Sequence, residues 1–186
     1  MKIVGLIGSP RKNCNTDMLV QKAMEGAKTL GAETILFYPN DLHIRGCQAC
    51  YACKKTGTCA VKDDMTGIYR AIDEADSIII GSPIYFGRFT AQLAPVMDRL
   101  FAYLRPDFTS SLAKGKRAGL VFTYNQPDPT LYLTCINSMA QVLGRLGFEA
   151  GPKPLVGAGF GARDAELRKE QYLQAAFALG KELASR

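Results

Sequence analysis

Short apolar runs alternate with amphipathic stretches of helical period along the chain, and this alternation constrains the fold more than any other feature. Lys2 leads into Ile3-Val4-Gly5-Leu6-Ile7, a run too short for a helix and closed by Gly8. An uninterrupted run of this kind marks a parallel strand covered on both faces. A helix is expected next, with Leu19, Ala23, Ala27 and Leu30 on one stripe and Gly31 as its stop. Residues 34–38 form a second strand, ended by Pro39-Asn40-Asp41. Lys62-Asp63-Asp64-Met65 opens a second helix, with Asp63 or Asp64 as N-cap and Met65, Ile68 and Ile72 facing inward. Ser77-Ile78-Ile79-Ile80-Gly81 is a third, fully buried strand, followed by a loop, Ser82-Pro83-Ile84-Tyr85-Phe86-Gly87. Residues 90–104 read as a helix with Leu93, Val96, Met97 and Leu100 as its apolar face and a kink at Pro95. A fourth strand over 117–123, a loop from Tyr124, a helix over 130–146 and a fifth strand over 148–156 follow. Pro152 and Pro154 place that last strand at an edge. A final helix runs nearly to Arg186. Such alternation builds an α/β fold, a parallel sheet with helices on both faces. The 186 residues make one domain, 1–186, without repeat, linker or low-complexity segment.

The balance of 47% hydrophobic and 22% charged residues is that of a globular chain. Six cysteines in a chain this long, four of them clustered, do not form a secreted disulfide scaffold. Met1-Lys2-Ile3-Val4-Gly5 lacks a signal-peptide layout, and no apolar run is long enough to cross a bilayer. A cytoplasmic, reduced protein without a membrane partner is expected. The net charge of +6 raises nucleic acid, but Lys and Arg are scattered and no nucleic-acid motif is present. The excess base suits anionic nicotinamide cofactors or acidic electron carriers.

Folding alone does not require the cysteine-rich loop at 46–60, where Cys47, Cys50, Cys53 and Cys59 fall in a C-x2-C-x2-C-x5-C run. In a helix the first three thiols would crowd into about 1.7 turns, too close to pair readily as disulfides. They can converge instead on one polynuclear centre. The bacterial ferredoxin run is C-x2-C-x2-C-x3-C-P. Here the first three positions match, the last gap is longer, and Ala60 stands where proline would. With one such run, all four thiols would serve a single [4Fe–4S] cluster, Thr56-Gly57 supplying the turn that brings Cys59 back. Zinc is a rival, although a four-cysteine zinc site ordinarily uses two separated hooks. A redox-active thiol pair and a metal-free loop are the others.

Ser9, Arg11, Asn15 and Thr16 sit between the first strand and its helix. A helix N-terminus offers free N–H groups and the positive end of a dipole to an anion. Hydroxyls of Ser9 and Thr16 and the Asn15 amide can wrap a phosphate, and Arg11 can pair with it. The plain alternative is a helix cap on Asn15 or Thr16. The stretch matches neither G-x-x-x-x-G-K-[ST] nor G-x-G-x-x-G. Gly157-x-Gly159-x-Gly161 has the spacing of a dinucleotide turn but comes too late for a βαβ unit and reads as a loop.

With Gly8-Ser9-Pro10-Arg11-Lys12-x-x-Asn15-Thr16, Ser82-Pro83-Ile84-Tyr85-Phe86-Gly87 and the four cysteines, the chain resembles the iron–sulfur flavoproteins, in the NADPH-dependent FMN reductase branch of the flavodoxin-like superfamily. The resemblance covers nearly the whole chain in motif order. It implies a flavodoxin-like three-layer sandwich with a five-stranded parallel sheet of order 2-1-3-4-5, and FMN as cofactor. The phosphate would sit on Ser9, Arg11, Asn15 and Thr16. The ring would lie against Pro83, Ile84, Tyr85, Phe86 and Gly87, flanked by Tyr124 and Asn125. A flavin ring needs an apolar or aromatic surface and backbone donors near its reducible edge, which these residue types supply. The plain reading of Tyr85 and Phe86 is core packing. Cys14 departs from the small polar residue expected there and reads as packing, Cys135 as core, and His43, the sole histidine, as loop structure.

The implied activity is that of an FMN-dependent oxidoreductase moving electrons from NAD(P)H or a ferredoxin-like donor to a small acceptor, through a [4Fe–4S] cluster held by the four cysteines. A homodimer or homotetramer is implied as well. The rivals are a cluster-free NAD(P)H-dependent FMN or quinone reductase, a non-enzymatic flavodoxin-like carrier, and a zinc-stabilised interaction module. Such carriers tend to be acidic, and this chain is basic.

Overall fold

The computed structural model describes residues 1–161 and 170–185. Strands β1 (Lys2–Ile7), β2 (Glu33–Phe37), β3 (Ser77–Tyr85), β5 (Arg117–Thr123) and β6 (Leu155–Gly157) lie parallel, in the order β2-β1-β3-β5-β6. A two-residue strand, β4 (Arg88–Phe89), pairs antiparallel with the end of β3. The expected five-stranded sheet of order 2-1-3-4-5 is therefore corrected to six strands. The added one arises because the segment read as a loop after Gly81 stays extended to Tyr85 and folds back as a hairpin. β1 ends opposite Gly81, so beyond that point β3 keeps a parallel neighbour only on the β5 side. Pro83 is tolerated in that stretch of the strand.

The described residues form the helices α1 (Asn15–Lys28), α2 (Ala52–Thr56), α3 (Met65–Glu74), α4 (Ala94–Arg99), α5 (Leu133–Arg145) and α6 (Glu170–Ala184), of which α1 and α6 cover one face of the sheet and α3, α4 and α5 the other. The central strands feed both cores, as their period of two demands. Val4, Leu6, Ile78, Ile80, Leu120 and Phe122 pack against α3, α4 and α5. Ile3, Ile7, Ile79 and Val121 pack against α1 and α6. Each such side chain, fully buried, contributes about 1.5–3 kcal/mol.

Several boundaries differ from expectation. Leu30 lies beyond the end of α1 and is exposed, so it is not on the buried stripe. The helix expected over 90–104 is α4 followed by a 3-10 helix, Leu100–Tyr103, because Pro95 fits only its first turn. The helix expected over 130–146 is Leu133–Arg145. The fifth parallel strand shrinks to β6, which begins only after Pro152 and Pro154. The start of the final helix lies outside the described residues.

α1 and α6 cross at contact distance through two glycines. A Cβ on Gly26 would stand 2.1 Å from the Phe177 carbonyl oxygen, and one on Gly180 would stand 1.7 Å from that of Ala23. Both obstacles are backbone, so neither can swing aside.

The cysteine segment is tied to the body by one buried guanidinium. Arg99, on α4, is 1% exposed. It donates to the carbonyls of Arg45 (2.9 Å) and Val61 (3.0 Å) and makes a two-pronged pair with Asp63 (2.9 and 3.2 Å). The two ends of the segment thus meet on one side chain. Asp63 also accepts the Met65 N–H at 3.1 Å, so it, and not Asp64, supplies the side-chain cap of α3. Lys54 adds a second tie, its ammonium donating to the carbonyls of Phe101 and Leu104 and lying 3.6 Å from the Phe101 ring centre.

Four variants test this packing, all read by urea unfolding. Gly180→Ala lowers it by about 1–3 kcal/mol through overpacking, whereas Gly144→Ala, in a helix with open space around it, raises it by up to about 1 kcal/mol. Asp63→Ala strands a buried charge and costs about 3–5 kcal/mol. Burial pushes the Asp63 carboxyl up, but the donors from Arg99, Arg45 and Met65 outweigh it and hold the group below the usual carboxylate range. Its contribution is present above the unfolded value of about 3.9 and is lost as pH falls through the lower folded value. Asp63→Asn therefore shows a shallower loss of stability in acid.

Candidate functional site

The carboxyl ends of β1, β3 and β5 form one rim, and the loops leaving them meet there. Gly8 ends β1 with its N–H on the Gly81 carbonyl (2.8 Å). The Ser9 side chain folds onto the next turn, accepting the Arg11 N–H and donating to the Arg11 carbonyl, each at 3.1 Å. Asn13 is left-handed (φ 53°), and α1 starts at Asn15 with Cys14 as an extended N-cap residue that has no side-chain cap. Neither Asn15 nor Thr16 caps the helix. The Asn15 amide donates across the rim to the Gly161 carbonyl (2.9 Å), and the Thr16 hydroxyl bonds that of Thr123 (2.6 Å) in the interior. The first amides of α1 have no intrahelical acceptor and carry the positive end of the dipole.

Asp17 closes this turn from below. It is fully buried, accepting the Asn13 N–H (2.7 Å), the Gln21 amide (2.7 Å) and the Tyr38 hydroxyl (3.1 Å). Burial, then the charge of Asp17, push the Tyr38 phenol up to about 12. Lys12 turns away to Asp41 (2.5 Å), with its ammonium 4.9 Å from the Tyr38 ring centre.

A cavity of about 320 Å³ opens on the rim, lined by Arg11, Asn15, Pro83, Ile84, Tyr85, Thr123, Tyr124, Asn125, Phe160 and Gly161. Arg11, Asn15, Pro83, Ile84, Tyr85, Tyr124 and Asn125 were all expected at one site and come together here. Ser9 and Thr16 are buried and do not line it. Phe86 and Gly87 do not line it either: both have positive φ (49° and 77°) and form the hairpin tip, with Phe86 wholly exposed. Thr123, Phe160 and Gly161 escaped the sequence reading. Their signal was positional, since Thr123 ends a strand at this rim and the glycine run follows the neighbouring one. The Tyr124 N–H bonds the Gly157 carbonyl and the Phe160 N–H bonds that of Tyr124, pinning the glycine run over the cavity. Gly157 has a specific reason: a Cβ there would lie 2.1 Å from the Phe160 ring.

The hairpin is pinned to the loop after β1 by Thr90, whose hydroxyl donates to the Gly8 carbonyl (2.6 Å) while its N–H reaches the Ser82 hydroxyl (3.1 Å). On the hairpin's other side a groove of about 580 Å³ runs along α5, and Cys135 lines it. Cys135 is therefore half-buried and not core, its thiol pushed up by burial. Leu131 and Val142, both exposed, also line the groove, and Phe86 stands next to Gly87 at its edge. Cys14 is buried packing, as expected. His43 lines neither cavity and contributes its backbone N–H to Asp64 (2.7 Å).

The residues from Cys47 to Cys53 do not form a helix that would crowd the thiols together. Ala49 and Tyr51 are left-handed (φ 48° and 56°), α2 begins only at Ala52, and Cys47 and Cys50 lie in exposed irregular chain. Cys53 and Cys59 are half-buried, and all four thiols are free. Among the described residues no group of three or more His, Cys, Asp or Glu side chains is placed to hold a metal ion. The donor type suits a [4Fe–4S] cluster, but this arrangement does not. For a flavin phosphate and ring, the basic end and aromatic wall of the rim cavity do fit.

The NADPH-dependent FMN reductase profile matches residues 1–147. An iron-sulfur flavoprotein of Methanocaldococcus jannaschii is 42% identical over 99 residues, 53% of this chain and 51% of that one. One of Methanosarcina thermophila is 39% identical over 108 residues, 58% and 56% of the two chains. The chain thus spans about half the length of the curated relatives it matches. An NAD(P)H:quinone oxidoreductase from Methanothermobacter marburgensis superposes with TM-score 0.77 at 16% identity, over 100% of this chain and 98% of that one, a likeness of fold. The profile match spans well over half of the sequence, and with the rim geometry it places this chain in the NADPH-dependent FMN reductase family.

Proposed function

We propose that the protein is an FMN-dependent oxidoreductase that takes electrons from NAD(P)H and passes them to a small acceptor such as a quinone. The observation that carries the reading is the rim cavity of about 320 Å³, with Arg11 and the start of α1 at one end and Tyr85, Tyr124 and Phe160 around the rest. FMN, when bound, supplies the step between two-electron and one-electron chemistry. Arg11, exposed at the cavity mouth, pairs with the phosphate. The Asn15 amide and the N–H groups of the first turn of α1 add donors. Pro83, Ile84 and Tyr85 give the ring an apolar wall, with Tyr124 and Asn125 alongside. Phe160, 3% exposed and packed on the Tyr172 ring at 5.1 Å, keeps water from the far side. Ser9 and Thr16 hold the loop in shape, through the Arg11 backbone and the Thr123 hydroxyl.

A [4Fe–4S] cluster on Cys47, Cys50, Cys53 and Cys59 is a second reading, with a ferredoxin-like donor in place of NAD(P)H. It is supported by the spacing, by four free thiols in one segment, and by relatives named iron-sulfur flavoproteins. It requires residues 46–51 to rearrange around the metal. A homodimer is supported by the exposed Phe86, Leu131 and Val142 around the α5 groove, an apolar patch that a second copy would cover.

Protein mixed with FMN is expected to hold it through desalting and to oxidise NADPH or NADH in the presence of a quinone. Arg11→Ala should weaken FMN binding about tenfold, the loss of one charge-assisted bond. Protein that neither retains FMN nor turns over a nicotinamide defeats the proposal. Iron and sulfide analysis of protein purified without oxygen decides the second reading, with Cys53→Ser expected to abolish bound iron if it holds.

A further inference from the structure

We infer that Asp17 is a positioning residue that sets the preference of the rim site for a phosphate-bearing flavin, by holding the turn at Asn13; this rests on the FMN reading above. Asp17 is 0% exposed, and among the described residues no Lys or Arg forms an ion pair with it. A carboxylate is costly to bury. Placed in the first turn of α1, it also repels a phosphate bound there. Binding charge is therefore not its contribution. Its contribution is geometric.

One carboxylate oxygen takes the Asn13 N–H at 2.7 Å, while the other is held by Gln21 and Tyr38. An acidic side chain in the first turn that reaches back to an amide ahead of the helix is the second half of a capping box, here displaced by one residue. It fastens Asn13 at φ 53°, a left-handed conformation uncommon outside glycine. Ser9 fastens the other side of the loop at Arg11. Between these two locks the direction of the first α1 amides and the place of Arg11 are settled. The same Tyr38 that donates to Asp17 lies under the Lys12 ammonium, which Asp41 holds. Lys12 is thereby kept off the rim, and Arg11 alone of the two bases lines the cavity.

The test compares FMN with riboflavin, which differ only in the phosphate, by equilibrium titration of the purified chain. Asp17→Ala should lower the FMN-to-riboflavin affinity ratio about tenfold, the loss of a hydrogen bond to a charged group. Asp17→Asn should keep most of the ratio, because its carboxamide oxygen can still take the Asn13 N–H. Asn13 is exposed, so its variants probe the turn from outside if Asp17→Ala fails to fold. Asn13→Val, whose branched side chain resists positive φ, should lower the ratio, and Asn13→Gly should keep it. An unchanged ratio in Asp17→Ala or Asn13→Val overturns the inference while the FMN reading stands. A fall in Asp17→Asn equal to that in Asp17→Ala, or in Asn13→Gly equal to that in Asn13→Val, overturns it too. Wild-type protein that binds neither flavin removes the FMN reading itself and the inference with it.

Discussion

The rim exists because β1 stops at Ile7 while β3 continues to Tyr85 and β5 to Thr123. Hydrogen bonding holds three strands side by side as far as Gly81, and past that point the sheet steps down by one strand. The step leaves room for the loop after β1 to turn into α1 beside two strands that are still extended. Gly8 and Gly81 sit at its corner, and neither has space for a side chain: a Cβ would meet Leu93 at 2.8 Å in one case and Val20 at 2.3 Å in the other. Open parallel sheets place ligands outside the carboxyl ends of their strands, where connections diverge to opposite faces. Here the divergence lies between β1, whose helix covers one face, and β3, whose helix covers the other.

Apolar packing fills both faces, and a few buried polar groups fix the irregular parts. Thr16 and Thr123 join the base of the loop after β1 to β5, Thr90 joins the hairpin to β1, and Asp17 and Ser9 shape the loop between. The threonine hydroxyls would otherwise be buried without partners, which costs more than such a bond contributes. The site is thus built on short hydrogen bonds from rigid elements, and its backbone is set before any ligand arrives.

How much of this was legible in the sequence depends on what kind of force set each part. The central strands were plain, because Ile78-Ile79-Ile80 is buried on both sides and no other element suits that run. The meeting of the loop after β1 with Tyr85 and Tyr124 at the rim was legible because chemistry-bearing residue types fall just after strands. The extension of β3 through Pro83 was not, since the tolerance comes from where β1 ends, a fact about a neighbour. The Thr16 hydroxyl turns inward to Thr123, which only the register of α1 against β5 decides, and the Ser9 hydroxyl folds onto the Arg11 backbone. Arg99 was invisible for the same reason. It reads as an ordinary surface base on a helix, and its burial depends on Arg45, Val61 and Asp63, distant in sequence. The cysteine spacing would crowd three thiols together only in a helix, and left-handed Ala49 and Tyr51 do not permit one.

The way Arg99 grips its neighbours has a further implication. At both ends of the cysteine segment it holds main-chain carbonyls, those of Arg45 and Val61, and its one side-chain partner, Asp63, also serves α3. Nothing in that grip depends on which side chains lie between. Apart from Tyr51 and Lys54, which reach the body at Phe101 and Leu104, the side chains from 46 to 60 can therefore be rewritten while the flavodoxin-like body beneath keeps its shape.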